Sequence, residues 1–154
     1  MCHSKQVGDL KTSPVGRMDN REGWFRDVAF SLFRFVAGFQ LWQHGAQKLL
    51  GFFREQPREA SLEWFSLVWT AGVIEFFGGA LVAFGLFTRP VAFVLTGHMA
   101  VIFWWRHFPP FWPLMNRGEP AVLYSFIFLL LWAWGGGPFS VDAVLAKRRA
   151  TSPP

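Results

Sequence analysis

Five ionisable side chains lie within long apolar stretches of this sequence, where a charge is costly. They are Arg34, His44, Lys48, Glu75 and His98. An ionisable group in a membrane-spanning segment usually faces protein or water and has a partner or a function. A carboxylate and two imidazoles could hold and transfer protons, because histidine changes its charge near neutral pH. These residues are therefore the first candidates for a functional site.

The opposite charges of Arg34 and Glu75 predict an ion pair between the first and second apolar stretches. At about 1.5 Å of helix per residue, their levels differ by less than ~10 Å, which an arginine side chain can bridge. The pair could fix the register of two helices, or it could bind a ligand directly. Both roles require Arg34 and Glu75 to face the interior of a bundle.

His44 and Lys48 are four residues apart, so they share one face of a helix. Lys48 lies near the outer end, where its simplest role is an interface anchor. His44 lies deeper and precedes Gly45, which permits a close helix contact. His98 could pack through a hydrogen bond or carry protons. His44, Glu75 and His98 are ligand types that suit zinc or iron, but no metal-binding spacing connects them, so we expect no bound metal.

Four apolar stretches must position these residues. About 20 apolar residues in a helix cross a ~30 Å hydrocarbon core, and Trp and charged residues are typical of the flanks. Period-two alternation, the pattern of β-strands, is absent from these stretches. The sequence therefore predicts an all-α polytopic membrane protein, a bundle of four transmembrane helices. The predicted spans are about 28–50, 64–87, 91–108 and 121–134.

The composition supports the same class of protein. Of 154 residues, 52% are hydrophobic and only 16% are charged, whereas soluble domains carry roughly 25% charged residues. Nine Trp and nineteen Phe exceed what one soluble core of this size could bury. The single cysteine, Cys2, excludes a disulfide or a CxxC redox pair within one chain.

The basic residues predict the orientation of the spans. Loops and tails richer in Lys and Arg lie on the cytoplasmic side. We expect a polar cytoplasmic tail at 1–26, a transmembrane domain at 27–145 and a basic cytoplasmic tail at 146–154. Both termini and Arg89 are then inside, and the loops that contain Arg54 and Arg117 are outside. Because the net charge of +5 resides in these tails and loops, we expect no nucleic-acid partner.

The loops and glycines add detail to this bundle. The short connection at 87–90 makes spans two and three antiparallel neighbours. The outer segment 108–112, followed by Pro113, predicts a stiff aromatic flap. Small residues permit close helix packing, and we expect this role for the glycines of spans one and two, which are Gly38, Gly45, Gly72, Gly78, Gly79 and Gly85.

A pocket in the outer half of the bundle is the predicted site. Inward-facing side chains at similar depths must come together in a compact four-helix bundle. His44, Glu75, His98 and Glu119 would line the pocket, with Lys48 and Asn116 at its rim.

An ordered set of motifs resembles the DoxX family of small bacterial membrane proteins. The resemblance runs from about Asp27 to Leu145. The motifs are Arg34-x3-Gly38, His44-Gly45-x2-Lys48, Glu75-x2-Gly78-Gly79, Gly85-Leu86 before Thr88-Arg89, Asn116-Arg117-Gly118-Glu119, Tyr124, Gly135-Gly136-Gly137 and Ser140-x-Asp142.

This resemblance implies a multi-pass, four-helix protein of the bacterial inner membrane, of a family usually described as oxidoreductases. Related proteins are linked to thiosulfate oxidation with a quinone acceptor, and others to oxidative-stress complexes or membrane chaperoning. The matching residues that the resemblance carries over as a site are Arg34, His44, Lys48, Glu75 and Glu119.

Two functions from different classes follow. The first is a redox subunit that docks a quinone in the outer half of the bundle, with His44 or His98 at a quinone carbonyl and the aromatic flap over the entrance. The second is a non-enzymatic scaffold or assembly subunit for a partner membrane protein. A small-molecule transporter is a third hypothesis. It would require the four-helix chain to associate as a homo-oligomer, because four helices alone do not form a path. No Rossmann glycine motif is present, so a redox role requires a diffusible quinone or a partner's cofactor.

Cys2 tests the predicted orientation. A membrane-impermeant thiol reagent should leave Cys2 unlabelled in intact cells and label it after lysis, because the N-terminus is predicted to be cytoplasmic. Labelling in intact cells would reverse the orientation.

Overall fold

A computed structural model describes residues 14–52 and 66–151, and the side chains of residues 21–52 and 66–151. The predicted outer-loop residue Arg54, the first half of the predicted N-terminal tail (residues 1–13) and the last three residues lie outside these ranges. The described elements are α1 (Pro14–Leu49), α2 (Leu67–Phe84), α3 (Thr88–Ile102) with a π-helical turn (Phe103–His107), α4 (Pro113–Asn116), α5 (Glu119–Trp134) and α6 (Val141–Thr151).

Within the described ranges every regular element is helical, which confirms the all-α prediction. The four long helices coincide with the four apolar stretches. α1 begins at Pro14, inside the segment predicted as a polar tail. Among the described residues one helix, Leu67–Phe84, is long and apolar enough to cross a membrane by itself, with a mean hydropathy of 1.8. Glu119–Trp134 is a shorter apolar helix.

α1 and α2 form the closest helix pair of the fold, and glycines make this possible. A Cβ atom on Gly38 would overlap the backbone of Ala83, and one on Gly45 would overlap the backbone of Phe76. Gly79 faces the backbone of Trp42 in the same way. Two backbones that touch at several points define the register of the two helices, as the glycines predicted.

α3 packs on α5, and the two helix pairs meet in one core. Ser66 begins α2 by accepting a hydrogen bond from the Trp69 N–H at 3.2 Å. Gly85 ends it with φ +71°, a left-handed conformation that glycine adopts without a steric penalty. The core residues are Leu41, Val82, Ala92, Leu95, Met99, Phe128 and Leu131.

Asp142, at the start of α6, stabilises the turn between α2 and α3. Its carboxylate accepts hydrogen bonds from the backbone N–H groups of Phe87 at 2.8 Å and Thr88 at 2.9 Å. Partial burial acts to raise the pKa of Asp142. The hydrogen bonds from Thr88 and Phe87 and the charge of Arg34 outweigh it, so the pKa lies below its ordinary value.

α1 and α5 make few contacts with each other. The bundle is therefore open along this side, because α1 is held mainly by α2, and α5 mainly by α3. A groove runs between the two helices.

The glycine contact between α1 and α2 gives a prediction with a matched control. Gly45→Ala should lower the free energy of unfolding by about 1–3 kcal/mol, because the added methyl group forces the helices apart. Gly97→Ala should leave stability unchanged or raise it by up to about 1 kcal/mol, since a Cβ there meets no atom within 4 Å. Unfolding midpoints in one detergent measure both. Equal midpoints for the two variants would contradict this packing.

Candidate functional site

Glu75 is the most deeply buried charged residue of the predicted site, with 2% of its surface exposed. It lies in the middle of α2 and points toward α1. Lys48 Nζ contacts both carboxylate oxygens, Oε1 at 2.6 Å and Oε2 at 2.7 Å. Gly72 makes room for this contact, since a Cβ there would lie 3.0 Å from the Lys48 Cβ. Lys48 is therefore an ion-pair partner, and the prediction of a simple interface anchor was wrong.

His98 approaches the same carboxylate from α3. Its Nε2 lies 3.4 Å from Glu75 Oε1, and its side chain is 11% exposed. The Lys48 side chain is 28% exposed, so the group reaches from the core toward the surface. We call Lys48, Glu75 and His98 the buried triad.

The predicted pair between Arg34 and Glu75 was wrong. The Arg34 guanidinium donates to the carbonyl oxygens of Val82 and Ala83 at 2.8 Å and of Phe139 at 2.9 Å. These carbonyls include the unpaired end of α2, where a cation is favourable. In the observed register Arg34 is level with Gly85, about ten residues and therefore roughly 15 Å from Glu75 along α2.

The groove between α1 and α5 has a volume of about 750 Å³. Apolar side chains line most of its length, including Leu32 and Val36 on α1 and Leu123 and Ile127 on α5. Binding sites for small apolar molecules are commonly of this size and have this kind of lining. We call it the α1–α5 groove.

Polar groups gather at the end of the α1–α5 groove where α5 begins. Tyr124 Oη donates to Gln40 Oε1 at 2.9 Å, and the His44 ring lies edge-on to the Tyr124 ring at 6.3 Å. Tyr124 also stacks on Phe128, which fixes its ring against the core. Glu119, at the first turn of α5, completes this end.

The structure therefore divides the predicted pocket in two. His44 and Glu119 line the α1–α5 groove, whereas Glu75 and His98 belong to the buried triad. Tyr124 connects the two, because it packs against His44 and lies within electrostatic range of Glu75. The physical reason is that α1 turns Lys48 toward α2 and His44 toward α5.

Asn116 is the last residue of the short helix α4 and does not line the groove. Its amide nitrogen donates to the Pro110 carbonyl at 2.6 Å, and its Oδ1 accepts from the Gly118 N–H at 2.8 Å. His107 Nδ1 lies 2.9 Å from the Asn116 carbonyl. These bonds fold the predicted aromatic flap on itself, and Phe108–Trp112 does not line the groove.

Gln40 and Tyr124 are the site residues that sequence reasoning did not select. Gln40 lies one turn before His44 on the same helix face, and Tyr124 is the single tyrosine. The spacing of Gln40 from His44 and the single tyrosine can both be read from the sequence, but neither shows that α1 and α5 leave a groove. Among the described residues, no three His, Cys, Asp or Glu side chains gather closely enough to hold a metal ion.

Comparison with known proteins gives the family. The DoxX family model matches residues 29–108, which is about half of the chain. The chain belongs to the DoxX family. An uncharacterised protein of Haemophilus influenzae is 33% identical over 135 residues, which cover 85% of this chain and 100% of that relative. No solved structure matches.

The DoxX match includes the whole buried triad as well as Arg34 and His44. It ends before α5, so Glu119 and Tyr124 lie beyond it. In this DoxX protein the family match therefore covers the α1 side of the groove but not the α5 side.

The buried triad gives the second structural prediction. Lys48→Met should destabilise this DoxX protein by about 3 kcal/mol or less, because it leaves a buried carboxylate without its cation. Glu75→Gln should cost less, since Lys48 is partly exposed and can turn to water. The double variant Lys48→Met/Glu75→Gln should recover much of the stability that Lys48→Met loses.

A double-mutant cycle on unfolding midpoints measures this coupling. The control cycle combines Arg34→Lys with Glu75→Gln, whose effects should add because these residues do not touch. Additive effects of Lys48→Met and Glu75→Gln would show that the ion pair does not form.

Proposed function

We propose that this DoxX protein is a multi-pass protein of the bacterial inner membrane that binds a quinone in the α1–α5 groove and acts as a redox subunit. Its helices expose many large apolar side chains to the outside of the bundle, such as Phe77, Phe84, Trp105 and Leu123. A soluble monomer rarely exposes apolar surface of this extent. Lipid is the environment in which such surfaces are stable.

The helix lengths support four crossings. α3 and its π-helical turn together cover residues 88–107, which at roughly 1.5 Å per residue approach the ~30 Å of a hydrocarbon core. Only 33% of the apolar window in α2 is buried inside the structure, whereas a core helix of a soluble protein is mostly buried. α1 is longer than a span and α5 slightly shorter.

The charges support an orientation with both termini in the cytoplasm. Arg89 and the basic end of α6 lie at the end of the bundle where α2 turns into α3. Arg106 and Arg117 lie at the opposite end. The more basic end is cytoplasmic by the positive-inside rule.

The single observation that carries the quinone proposal is the polar end of an otherwise apolar groove. A quinone has the same division, with a polar ring and an apolar tail. The tail would lie along Leu32, Val36 and Leu123, and the ring would meet Gln40, His44 and Tyr124. His44 can donate a hydrogen bond to a quinone carbonyl, and Tyr124 can do so by exchanging the bond that it donates to Gln40 Oε1.

A bound quinone would supply the redox chemistry, since it accepts two electrons and two protons to become a quinol. The electrons would come from the cofactor of a partner redox protein, because the groove side chains do not store electrons. His44 would donate one proton to the nearer carbonyl oxygen and recover it through Glu119 at the outer mouth, and water at that mouth would supply the second proton to the other carbonyl oxygen. The buried triad would hold charge next to Tyr124.

A scaffold function has one observation of its own. The rings of Phe35, Phe39 and Trp42 follow each other along α1 at 5.9 and 5.7 Å, and Trp42 continues to Phe76 at 5.5 Å. Phe35 and Phe39 are exposed, so a partner membrane protein could pack on this aromatic row. In that case the groove need not bind a ligand.

The groove residues test the quinone proposal. His44→Ala should abolish binding of a short-chain benzoquinone to the protein in lipid nanodiscs, and Tyr124→Phe should weaken it about fivefold, the value of one hydrogen bond. Ser125→Ala is the matched control. It also removes a hydroxyl from α5, but that hydroxyl lies 3.3 Å from the Thr96 carbonyl on α3.

Intact membranes provide the second measurement. The quinone proposal expects His44→Ala to reduce donor-dependent quinone reduction while the folded protein stays in the membrane. A scaffold keeps its partner in this variant and loses no redox property. If neither His44→Ala nor His98→Ala changes a ligand or redox property, the oxidoreductase proposal is wrong.

A further inference from the structure

α6 is fixed in place at the proposed cytoplasmic end of the bundle. The backbone N–H of Asp142 donates to the Gly85 carbonyl at 3.0 Å, in addition to the two bonds its carboxylate accepts from the start of α3. Ser140 Oγ accepts from the Ala143 N–H at 3.2 Å and so begins the helix. The first turn of α6 is therefore at the level where α2 ends and α3 begins.

One face of α6 is apolar and uncovered. Val141, Val144 and Leu145 are 38%, 50% and 39% exposed. At about 100° per residue, these three side chains fall within an arc of roughly 100°. Asp142 and Ala143 lie outside this arc and are partly covered.

Basic residues border this apolar face. By the same helical geometry, Lys147 lies beyond one edge of the arc and Arg149 beyond the other, and Arg148 continues the face toward the C-terminus. Long basic side chains at the edges of an apolar stripe can extend their charges to lipid headgroups while their stems stay apolar. Arg89, exposed at the start of α3, adds a cation at the same end.

We propose that α6 lies in the cytoplasmic surface of the membrane and binds the headgroups of anionic phospholipids. This inference rests on the membrane orientation in the proposed function. The apolar stripe would enter the acyl-chain boundary, and Lys147, Arg148 and Arg149 would contact the phosphates. The carboxylate of Asp142 accepts hydrogen bonds at the turn between α2 and α3. An anionic lipid surface complements both the apolar stripe and its basic edges.

The test uses the full-length protein with Cys2→Ser and a fluorophore on Val144→Cys, in nanodiscs. One set contains phosphatidylcholine alone, and the other contains equal parts of phosphatidylcholine and phosphatidylglycerol. Acrylamide, an uncharged aqueous quencher, reports exposure to water, and brominated lipid reports contact with acyl chains. We expect acrylamide quenching to be severalfold weaker, and quenching by brominated lipid stronger, when phosphatidylglycerol is present.

Two matched variants identify the charges responsible. K147Q/R148Q/R149Q should show the same quenching in both lipid compositions; glutamine keeps α6 helical. R106Q/R117Q removes two charges at the opposite end and should behave like the parent protein. High salt should reduce the lipid effect of the parent protein, because it screens exposed charges.

Several results would overturn the proposal. Quenching that does not depend on lipid charge in the parent protein would do so, and so would a lipid effect that survives K147Q/R148Q/R149Q. Protection of Val144→Cys only after addition of a membrane extract would assign α6 to a protein partner instead. Release of the protein from the nanodiscs would contradict the proposed membrane function itself. Quinone binding that is retained by K147Q/R148Q/R149Q would show that the groove is independent of α6.

Discussion

The contact between α1 and α2 at Gly38, Gly45 and Gly79 determines where the polar residues of this protein lie. At these positions the backbones approach so closely that a single methyl group would overlap the neighbouring helix. Such a contact permits one register only, because a shift by one residue would place a side chain where a glycine is required. Helix pairs without these glycines pack through side chains and tolerate more variation.

This register assigns the two buried charges of opposite sign to opposite ends of the pair. Arg34 reaches the carbonyls at the end of α2, which need donors, and Glu75 meets Lys48 near the other end of α1. Each buried charge is thus satisfied by a different kind of partner. Arg34 donates to backbone carbonyls and lies within electrostatic range of the Asp142 carboxylate, whereas Glu75 is held by a cation and an imidazole.

The sequence predicted the four long helices and the glycine contacts well, because both depend on local composition. The predicted ion pair between Arg34 and Glu75 was wrong, because the edge of an apolar stretch does not mark the level at which two helices meet. The first stretch begins at Val28, but α1 meets the end of α2 only near Arg34. The groove could not be predicted either, since periodicity shows which side chains face inward but not that α1 and α5 stay apart.

The difference between residues that satisfy the interior and residues that line the groove decides which variants can report on function. Arg34 and Glu75 satisfy groups inside the fold, so a loss of activity in their variants would follow from lost packing as readily as from lost chemistry. His44 and Tyr124 differ, because both line an open groove and neither closes a contact between α1 and α2. Glu75 of the buried triad lies within electrostatic range of Tyr124, which lines the groove. The fold therefore separates the charges that satisfy its interior from His44 and Tyr124, which line the open groove.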